Sequence, residues 1–211
     1  MAKSLKEQNN WRLWLVVAAN AMVFYTIQQA NELRLDGLPA LLKQAPSLIP
    51  IGFAGLVATV LNTLPSAEAK ATLVYWRWRD ALPGHRAFSQ HAAQDSRINL
   101  DRLRRTFKGA FPEAPAEQNA AWYKLYKSVR NDVMVLDANR VFLLLRDYAS
   151  LSALFVVIFG LGGFVLMGSK LVAAEYVGAL VLQYLIVRTA AANAGVRLVT
   201  NVLALKTASA R

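Results

Sequence analysis

The sequence contains no cysteine and only two histidines among its 211 residues. The lack of cysteine excludes disulfides, thiolate catalysis, iron–sulfur clusters and cysteine-bound zinc. The motifs of common catalytic and phosphate-binding sites are also missing, because HExxH, Walker A, GxSxG and GxGxxG do not occur. We therefore predict that the protein is not an enzyme and that it holds no cofactor and no metal.

Acidic residues are scarce as well. Asp and Glu number 13 against 24 Lys and Arg, which gives a net charge of +11. This balance favours an anionic partner, such as lipid head groups, nucleic acid or a phosphorylated small molecule. Hydrophobic residues make up 55% of the chain, a share that is too high for a soluble domain unless the apolar residues are concentrated in blocks.

Four such blocks are present, and each is about long enough to cross ~30 Å of hydrocarbon as a helix. The second and third blocks contain no charged residue, whereas the fourth carries Glu175 and Gln183. We predict an all-α, polytopic membrane protein with four transmembrane helices. The predicted spans cover residues 11–30, 46–64, 149–169 and 171–192.

The distribution of basic residues predicts the orientation of these spans. With four crossings, both termini and the long connection 65–148 lie on one side, and this side holds 21 of the 24 Lys and Arg residues. The opposite side holds three, namely Arg34, Lys43 and Lys170. Because basic residues are retained on the cytoplasmic side, we place the protein in the bacterial inner membrane with both termini in the cytoplasm.

The connection 65–148 is predicted to be a helical cytosolic insert between the second and third spans. We expect a helix over 66–80, a turn at Pro83-Gly84, and a further helix that begins after an N-cap at Asn99 and presents Leu100, Leu103 and Phe107 on one face. One or two helices then run from residue 118 into the third span. Residues 193–211 form a predicted amphipathic tail that lies on the membrane or packs on a neighbouring subunit.

The insert combines basic and aromatic side chains in a way that suits a ligand. Guanidinium groups match phosphate geometry and aromatic faces stack on bases. The alternative is that Trp76 and Trp78 belong to an interfacial belt and that Arg102, Arg104 and Arg105 face lipid. The candidate ligand-binding residues are Arg77, Arg79, Arg86, Arg97, Arg102, Arg104, Arg105, Lys108, Trp122 and Tyr123.

The predicted spans contain small and polar residues with a second candidate role. Glycines let helix backbones approach closely, within one chain or between protomers, and polar groups at membrane depth usually face a bundle interior or a water-filled path. Asn62 and Glu175, near the ends of their segments, are expected to reach the head groups instead. The candidate pore or packing residues are Asn20, Gly52, Gly55, Gly160, Gly163, Glu175 and Gln183.

Four strings in the insert and the third span carry a resemblance to a known family: WRWRDALPGHRAFSQ, DSRINLDRLRR, QNAAWYKLYKSV and FLLLRDYASLSAL. The chain resembles a family of small bacterial four-helix membrane proteins over residues 65 to 155. Its layout is also similar to that of short multi-spanning effectors of antiphage defence. The resemblance implies a membrane effector that is triggered by a nucleotide signal or a partner protein.

Two functions from different classes remain open at this stage. The first is a homo-oligomeric membrane effector or channel, gated from the cytosol by an anionic ligand such as a nucleotide, or by a partner protein. The second is a non-conducting scaffold or accessory subunit that docks a cytosolic enzyme at the membrane. Double-stranded DNA is not an expected partner, because acidic residues are interspersed among the basic ones and no groove-reading motif occurs.

Overall fold

The computed structural model describes residues 5–28 and 54–208. Every regular element in this part of the chain is a helix, and no strand occurs in it, so the predicted all-α class is confirmed. The elements are α1 (Leu5–Gln28), α2 (Ala54–Thr63), α3 (Ala67–Tyr75), a 3-10 turn (Pro83–Arg86), a π-helical turn (Ala87–His91), α4 (Ala92–Gln94), α5 (Leu100–Thr106), α6 (Pro115–Val129), α7 (Val133–Leu166) and α8 (Lys170–Ala208).

Two helices, α7 and α8, are long and apolar enough to cross a membrane. The predicted third span lies in α7 as far as Leu166, and the predicted fourth span lies in α8. The first predicted span lies in α1 as far as Gln28, and the second enters the described residues only at Ala54. Among the residues that the structure describes, neither α1 nor α2 meets the same criterion. A bundle of four spans therefore stays a prediction.

The chain divides into two compact units. The N-terminal unit consists of residues 1–66 and 147–187, and the insert unit consists of residues 67–146 and 188–211. The insert unit thus differs from the predicted insert, because it includes the last part of α8. The segment predicted as a separate tail is the end of this single helix, and its apolar side chains are buried. They are Leu198, Val199, Val202 and Leu203.

In the N-terminal unit, α1 packs against α7 through aromatic rings. The rings of Phe24 and Phe159 stack with their centroids 5.3 Å apart. A Cβ atom at Gly162 would lie 3.4 Å from the Phe24 ring, and one at Gly160 would lie 3.3 Å from the Val177 side chain on α8. Glycines of the third predicted span therefore allow close packing within one chain.

In the insert unit, α3 is shorter than the helix predicted over 66–80. It ends at Tyr75, and Trp76 adopts a left-handed backbone conformation with φ of 52°. The Arg188 guanidinium lies 3.8 Å from the centroid of the Trp76 ring. Such a cation–π contact is favourable, and it accompanies a change of chain direction that the local sequence does not predict.

A buried side chain of α6 forms hydrogen bonds with the segment after Pro83. Gln118 is 2% exposed, and its Oε1 accepts hydrogen bonds from the Phe88 and Ser89 backbone N–H groups at 3.2 and 3.1 Å. The Ser89 hydroxyl donates to the same oxygen at 3.1 Å. Gln118 thereby satisfies donors at the start of the π-helical turn that have no partner within it.

The start of α5 follows the prediction. The Asn99 side chain accepts a hydrogen bond from the Arg102 backbone N–H at 3.0 Å, so Asn99 is confirmed as the N-cap. Leu103 is buried, and Leu100 and Phe107 pack against the same core cluster, which also contains Phe88 and Leu203. The predicted apolar face of α5 is therefore the face that closes the core of the insert unit.

Candidate functional site

The insert unit contains a cavity of about 510 Å³. Its aromatic wall comes from α6, with Trp122, Tyr123 and Tyr126, and α7 contributes Asn139 and Arg146. We call it the aromatic cavity. Its size lies within the usual range for sites of small molecules, roughly 300–1,000 Å³.

The three aromatic rings of α6 form one stack. The Trp122 and Tyr126 centroids lie 5.6 Å apart with ring planes 20° from parallel, and Tyr123 and Tyr126 lie 5.9 Å apart at 24°. The Tyr126 hydroxyl accepts a hydrogen bond from the Asn139 amide at 3.0 Å. Burial raises the pKa of Tyr126, so this hydroxyl stays neutral and keeps its proton for donation.

Two buried donors near the cavity have no partner in the protein. The Trp122 indole Nε1 is fully buried and makes no hydrogen bond, and the same holds for the Tyr75 hydroxyl, whose pKa is raised by burial. Buried donors without a partner are costly and uncommon. The Trp122 ring lines the cavity, but its Nε1 is buried in the core of the insert unit.

Glycines bring backbone and rings together at this cavity. A Cβ atom at Gly195 would overlap the Tyr75 hydroxyl and lie 2.9 Å from the Phe142 ring. A Cβ atom at Gly84 would overlap the Asn119 side chain and lie 3.1 Å from the Trp122 ring. These contacts leave no space for a larger residue, so the two glycines fix the rings that border the cavity.

Several of the predicted ligand-binding arginines are used in contacts within the chain. Arg97 forms a paired hydrogen bond with Asp95 at 3.0 and 2.6 Å, which holds the pKa of Asp95 well below its ordinary range. Arg102 donates to the Thr207 carbonyl oxygen at 2.8 Å, and Arg86 donates to the carbonyl oxygen of Asp80 at 3.0 Å. These guanidinium groups tie neighbouring segments of the insert unit together.

The remaining predicted cations lie outside the aromatic cavity. Arg104 is 3.7 Å from Asp101 and lies over the Phe111 ring, and Arg79 borders a different cavity of about 480 Å³ with Trp78 and His85. The other predicted cations are exposed, and they are Arg77, Arg105 and Lys108. Of the ten predicted ligand-binding residues, only Trp122 and Tyr123 line the aromatic cavity.

The cation of the aromatic cavity is Arg146, which the sequence analysis did not select. It lies in the string FLLLRDYA, which we assigned to the approach to the third span. Asn139, Phe142 and Arg146 have the spacing i, i+3, i+7, which places them on one face of α7. This spacing was the signal that could have identified the polar side of the cavity.

The N-terminal unit contains a cavity of about 570 Å³, and it brings together three predicted pore residues. Asn20 lines it from α1, and Glu175 and Gln183 line it from α8. The Gln183 amide donates to the Tyr148 hydroxyl at 3.2 Å, and the Asn20 amide donates to the Val16 carbonyl oxygen at 2.9 Å. We call this the polar cavity.

Three of the four predicted packing glycines lie in the part of the chain that the structure describes. Gly160 and Gly163 are buried in α7, and a Cβ atom at Gly163 would lie 3.5 Å from the Met167 sulfur. Gly55 lies in α2, whereas Gly52 lies outside the described residues. Gly160 and Gly163 thus serve packing and do not line the polar cavity.

Asn62 corrects an expectation from the sequence. It is 5% exposed and does not reach outward, because its amide donates to the Asp147 carboxylate at 3.2 Å. Asp147 itself is 2% exposed. A buried carboxylate needs such partners, so this pair joins α2 to α7 within the N-terminal unit. The sequence analysis missed it because the two residues are distant in the chain.

His91 makes the insert unit sensitive to acid. It is 5% exposed, both ring nitrogens are buried without a partner, and burial together with nearby Arg86 lowers its pKa. Asp95 and Arg197 line the same groove. The folded chain holds His91 neutral while the unfolded chain takes up a proton near pH ~6.5, so stability is complete above that pH and falls as the pH drops toward the folded pKa.

We therefore expect the melting temperature of the full chain in detergent to decrease between about pH 7 and pH 5. The variant His91→Gln should flatten this dependence, and His85→Gln, which alters the only other histidine, should retain it. Melting curves recorded by circular dichroism over this pH range test the prediction. Equal slopes for wild type and His91→Gln would contradict it.

Comparison with protein-family models, with curated proteins and with solved structures finds no match for this chain. Within the residues that the structure describes, no group of three or more His, Asp or Glu side chains could hold a metal ion. The function therefore has to be argued from the two cavities and from the surfaces of the helices that carry them.

Proposed function

We propose that the protein is an oligomeric effector of the bacterial inner membrane that opens a polar path through the bilayer when the insert unit binds a nucleotide-like ligand or a partner protein. The proposal includes four spanning helices and cytoplasmic termini. The observation that carries it is the polar cavity, because Asn20, Glu175 and Gln183 all line it in a unit with an apolar surface. The resemblance to defence effectors makes phage infection the expected trigger.

The exposed apolar surface of the N-terminal unit supports a membrane location. On α7, the side chains of Val157, Leu161 and Val165 are 56, 67 and 80% exposed, and they recur every four residues along one face. On α8, Leu182 and Ile186 are 58 and 61% exposed with the same spacing. Soluble proteins rarely expose such continuous apolar surface, whereas lipid tails would cover it.

The polar cavity supports a path for ions. Polar and ionisable groups in membrane helices are costly, and where they occur they face a bundle interior or a water-filled space. Glu175 is exposed and lines the cavity, and Gln183, which lines it two turns further along α8, donates a hydrogen bond to Tyr148. A carboxylate in such a path would favour cations over anions.

Small exposed residues on α8 support assembly of several copies. Ala174 and Gly178 are exposed and four residues apart, and no side chain lies within 4 Å of the position of a Cβ atom at Gly178. Small residues at this spacing let membrane helices approach closely. Gly160 and Gly163 are already covered within the chain, so the surface of α8 around Gly178 is the better candidate for contacts between protomers.

The basic insert and its tryptophans support the orientation. The excess of Lys and Arg lies on the side that contains the insert, as the positive-inside rule requires of a cytoplasmic face. Trp78 is 92% exposed and Trp76 is 58% exposed beside Arg188. Tryptophan and arginine side chains with this exposure are typical of the boundary between lipid and water.

Membrane potential in living cells tests the proposal. Bacteria that express the full chain should depolarise after phage infection, as recorded with a voltage-sensitive dye. Glu175→Gln removes the carboxylate of the polar cavity and should slow depolarisation by about tenfold, the equivalent of losing roughly 1.4 kcal/mol of cation stabilisation. Glu117→Gln, which neutralises an exposed acidic residue of α6, is the matched control and should leave the response unchanged.

The scaffold function is favoured by one observation, the exposed cations Arg105 and Lys108 next to Arg104 at the end of α5. A basic surface of this kind suits an acidic protein partner. Under this alternative the membrane potential stays constant after infection while the chain still captures its partner. If the membrane potential stays constant after infection with every phage tested, the effector function is excluded and the scaffold function remains.

A further inference from the structure

The aromatic cavity has the construction of a ligand site. A cleft of about 510 Å³ has the size of a typical small-molecule site. The rings around it are held in place by close contacts to Gly84 and Gly195. A cavity bordered by fixed side chains does not collapse, so it is available to a ligand without rearrangement.

The lining determines the shape of that ligand. The rings of Trp122, Tyr123 and Tyr126 line the cavity and are nearly parallel to one another. Phe142 and Leu143 add apolar surface from α7. Aromatic faces of this kind stack on planar heteroaromatic rings, and nucleobases stack on them regardless of sequence. A planar ligand would gain contact area here that a branched aliphatic ligand would not.

The polar groups determine its chemistry. The Asn139 amide donates to Tyr126, which leaves the Asn139 side-chain carbonyl oxygen as an acceptor. Amide side chains recognise the donor and acceptor edge of a nucleobase. Arg146 is the single charged residue among the described residues that line the cavity, and no acidic side chain lines it.

We infer that the aromatic cavity binds a planar heteroaromatic anion with one phosphate-like group, of the class of nucleoside monophosphates. The base stacks on the aromatic rings of α6, and the Arg146 guanidinium pairs with the anionic group. A single guanidinium matches a single phosphate, whereas a triphosphate or a dinucleotide would bring several charges to one cation. That this site triggers the effector rests on the proposed function, but the binding itself does not.

Equilibrium dialysis of the full chain in uncharged detergent tests the inference. The probes are AMP, GMP, CMP and UMP, with their four nucleosides and inorganic phosphate as the arms that lack the phosphate or the base. At least one nucleotide should bind with a micromolar dissociation constant, its nucleoside should bind about tenfold more weakly, and phosphate alone should not bind. Failure of all four nucleotides to bind would overturn the inference.

Variants locate the site. Arg146→Gln should weaken nucleotide binding by about tenfold or more, and Arg105→Gln, an exposed arginine outside the cavity, should not. Asn139→Asp places a carboxylate in the cavity at the same volume, and the Tyr126 hydroxyl can donate to it, so this variant should fold and lose nucleotide binding. Equal affinities of Arg146→Gln, Asn139→Asp and wild type would overturn the inference.

These experiments can reject the effector function and the nucleotide site independently of each other. Nucleotide binding with a constant membrane potential would sustain the site and reject the effector. Depolarisation after infection without binding of any of the four nucleotides would reject the site and assign the trigger to a protein partner. A detergent or lipid molecule that occupies the cavity and is not displaced by nucleotide would also overturn the inference.

Discussion

Phe88→Ala is expected to destabilise the insert unit by roughly 3–5 kcal/mol, the usual cost of removing a fully packed aromatic side chain. Phe88 is 4% exposed. Its ring packs edge to face on Phe107 at 4.9 Å and stacks on Phe111 at 5.4 Å. The substitution removes both contacts and leaves a void among side chains that come from α5, α6 and α8. The measurement is urea unfolding of the full chain in detergent, followed by pulse proteolysis.

Phe164→Ala is the matched control. Phe164 is 41% exposed on α7, so its truncation removes surface that detergent already covers and should shift the unfolding midpoint little. A loss of stability in Phe164→Ala as large as that in Phe88→Ala would show that the core cluster of the insert unit does not determine the stability of the chain.

Gly195→Ala is expected to have the second large effect, a loss of roughly 1–3 kcal/mol typical of overpacking. The added methyl group would overlap the Tyr75 hydroxyl and lie 2.9 Å from the Phe142 ring. Neither ring can move freely, because both pack in the core cluster around Val135 and Leu198. The same unfolding measurement should show a lower midpoint, although alanine has the higher helix propensity of the two residues.

The control for this substitution is Gly168→Ala. No atom lies within 4 Å of the position of its Cβ, and its φ is not in the left-handed region. Alanine at such a position is neutral or slightly stabilising, because it lowers the entropy of the unfolded chain. If Gly195→Ala proved as stable as Gly168→Ala, the close approach of Tyr75 and Phe142 to α8 would not be required for folding.

The sequence predicted those features that depend on local chemistry. Asn99 was identified as an N-cap because its side chain needs only a backbone N–H three residues later. The apolar face of α5 was identified because Leu103 and its neighbours repeat with the helical period. Asn20, Asn62, Glu175 and Gln183 were noted together because polar side chains are rare in apolar blocks. The structure places Asn20, Glu175 and Gln183 at one cavity, whereas Asn62 pairs with Asp147.

Features that depend on distant partners could not be predicted in this way. The segment after residue 193 has apolar residues on more than one face, and nothing local shows that Phe88 and Leu103 are their partners. Arg146 was overlooked because the cavity that it lines is formed together with α6, which lies earlier in the chain. For the same reason most of the basic residues of the insert were grouped as one site, although Arg97 and Arg102 hold segments of the fold together.

The insert unit consists of two separate stretches of the chain, and these are synthesised one after the other. Residues 67–146 are translated before α8 exists, so Phe88 and Leu103 lack the cover that Val199 and Leu203 later provide. Incompletely buried apolar surface is prone to aggregation during synthesis, and here it persists while α7 is being made. The aromatic cavity also needs Leu198 and Val199. In a nascent chain the cavity is therefore incomplete until α8 has been translated past these two residues.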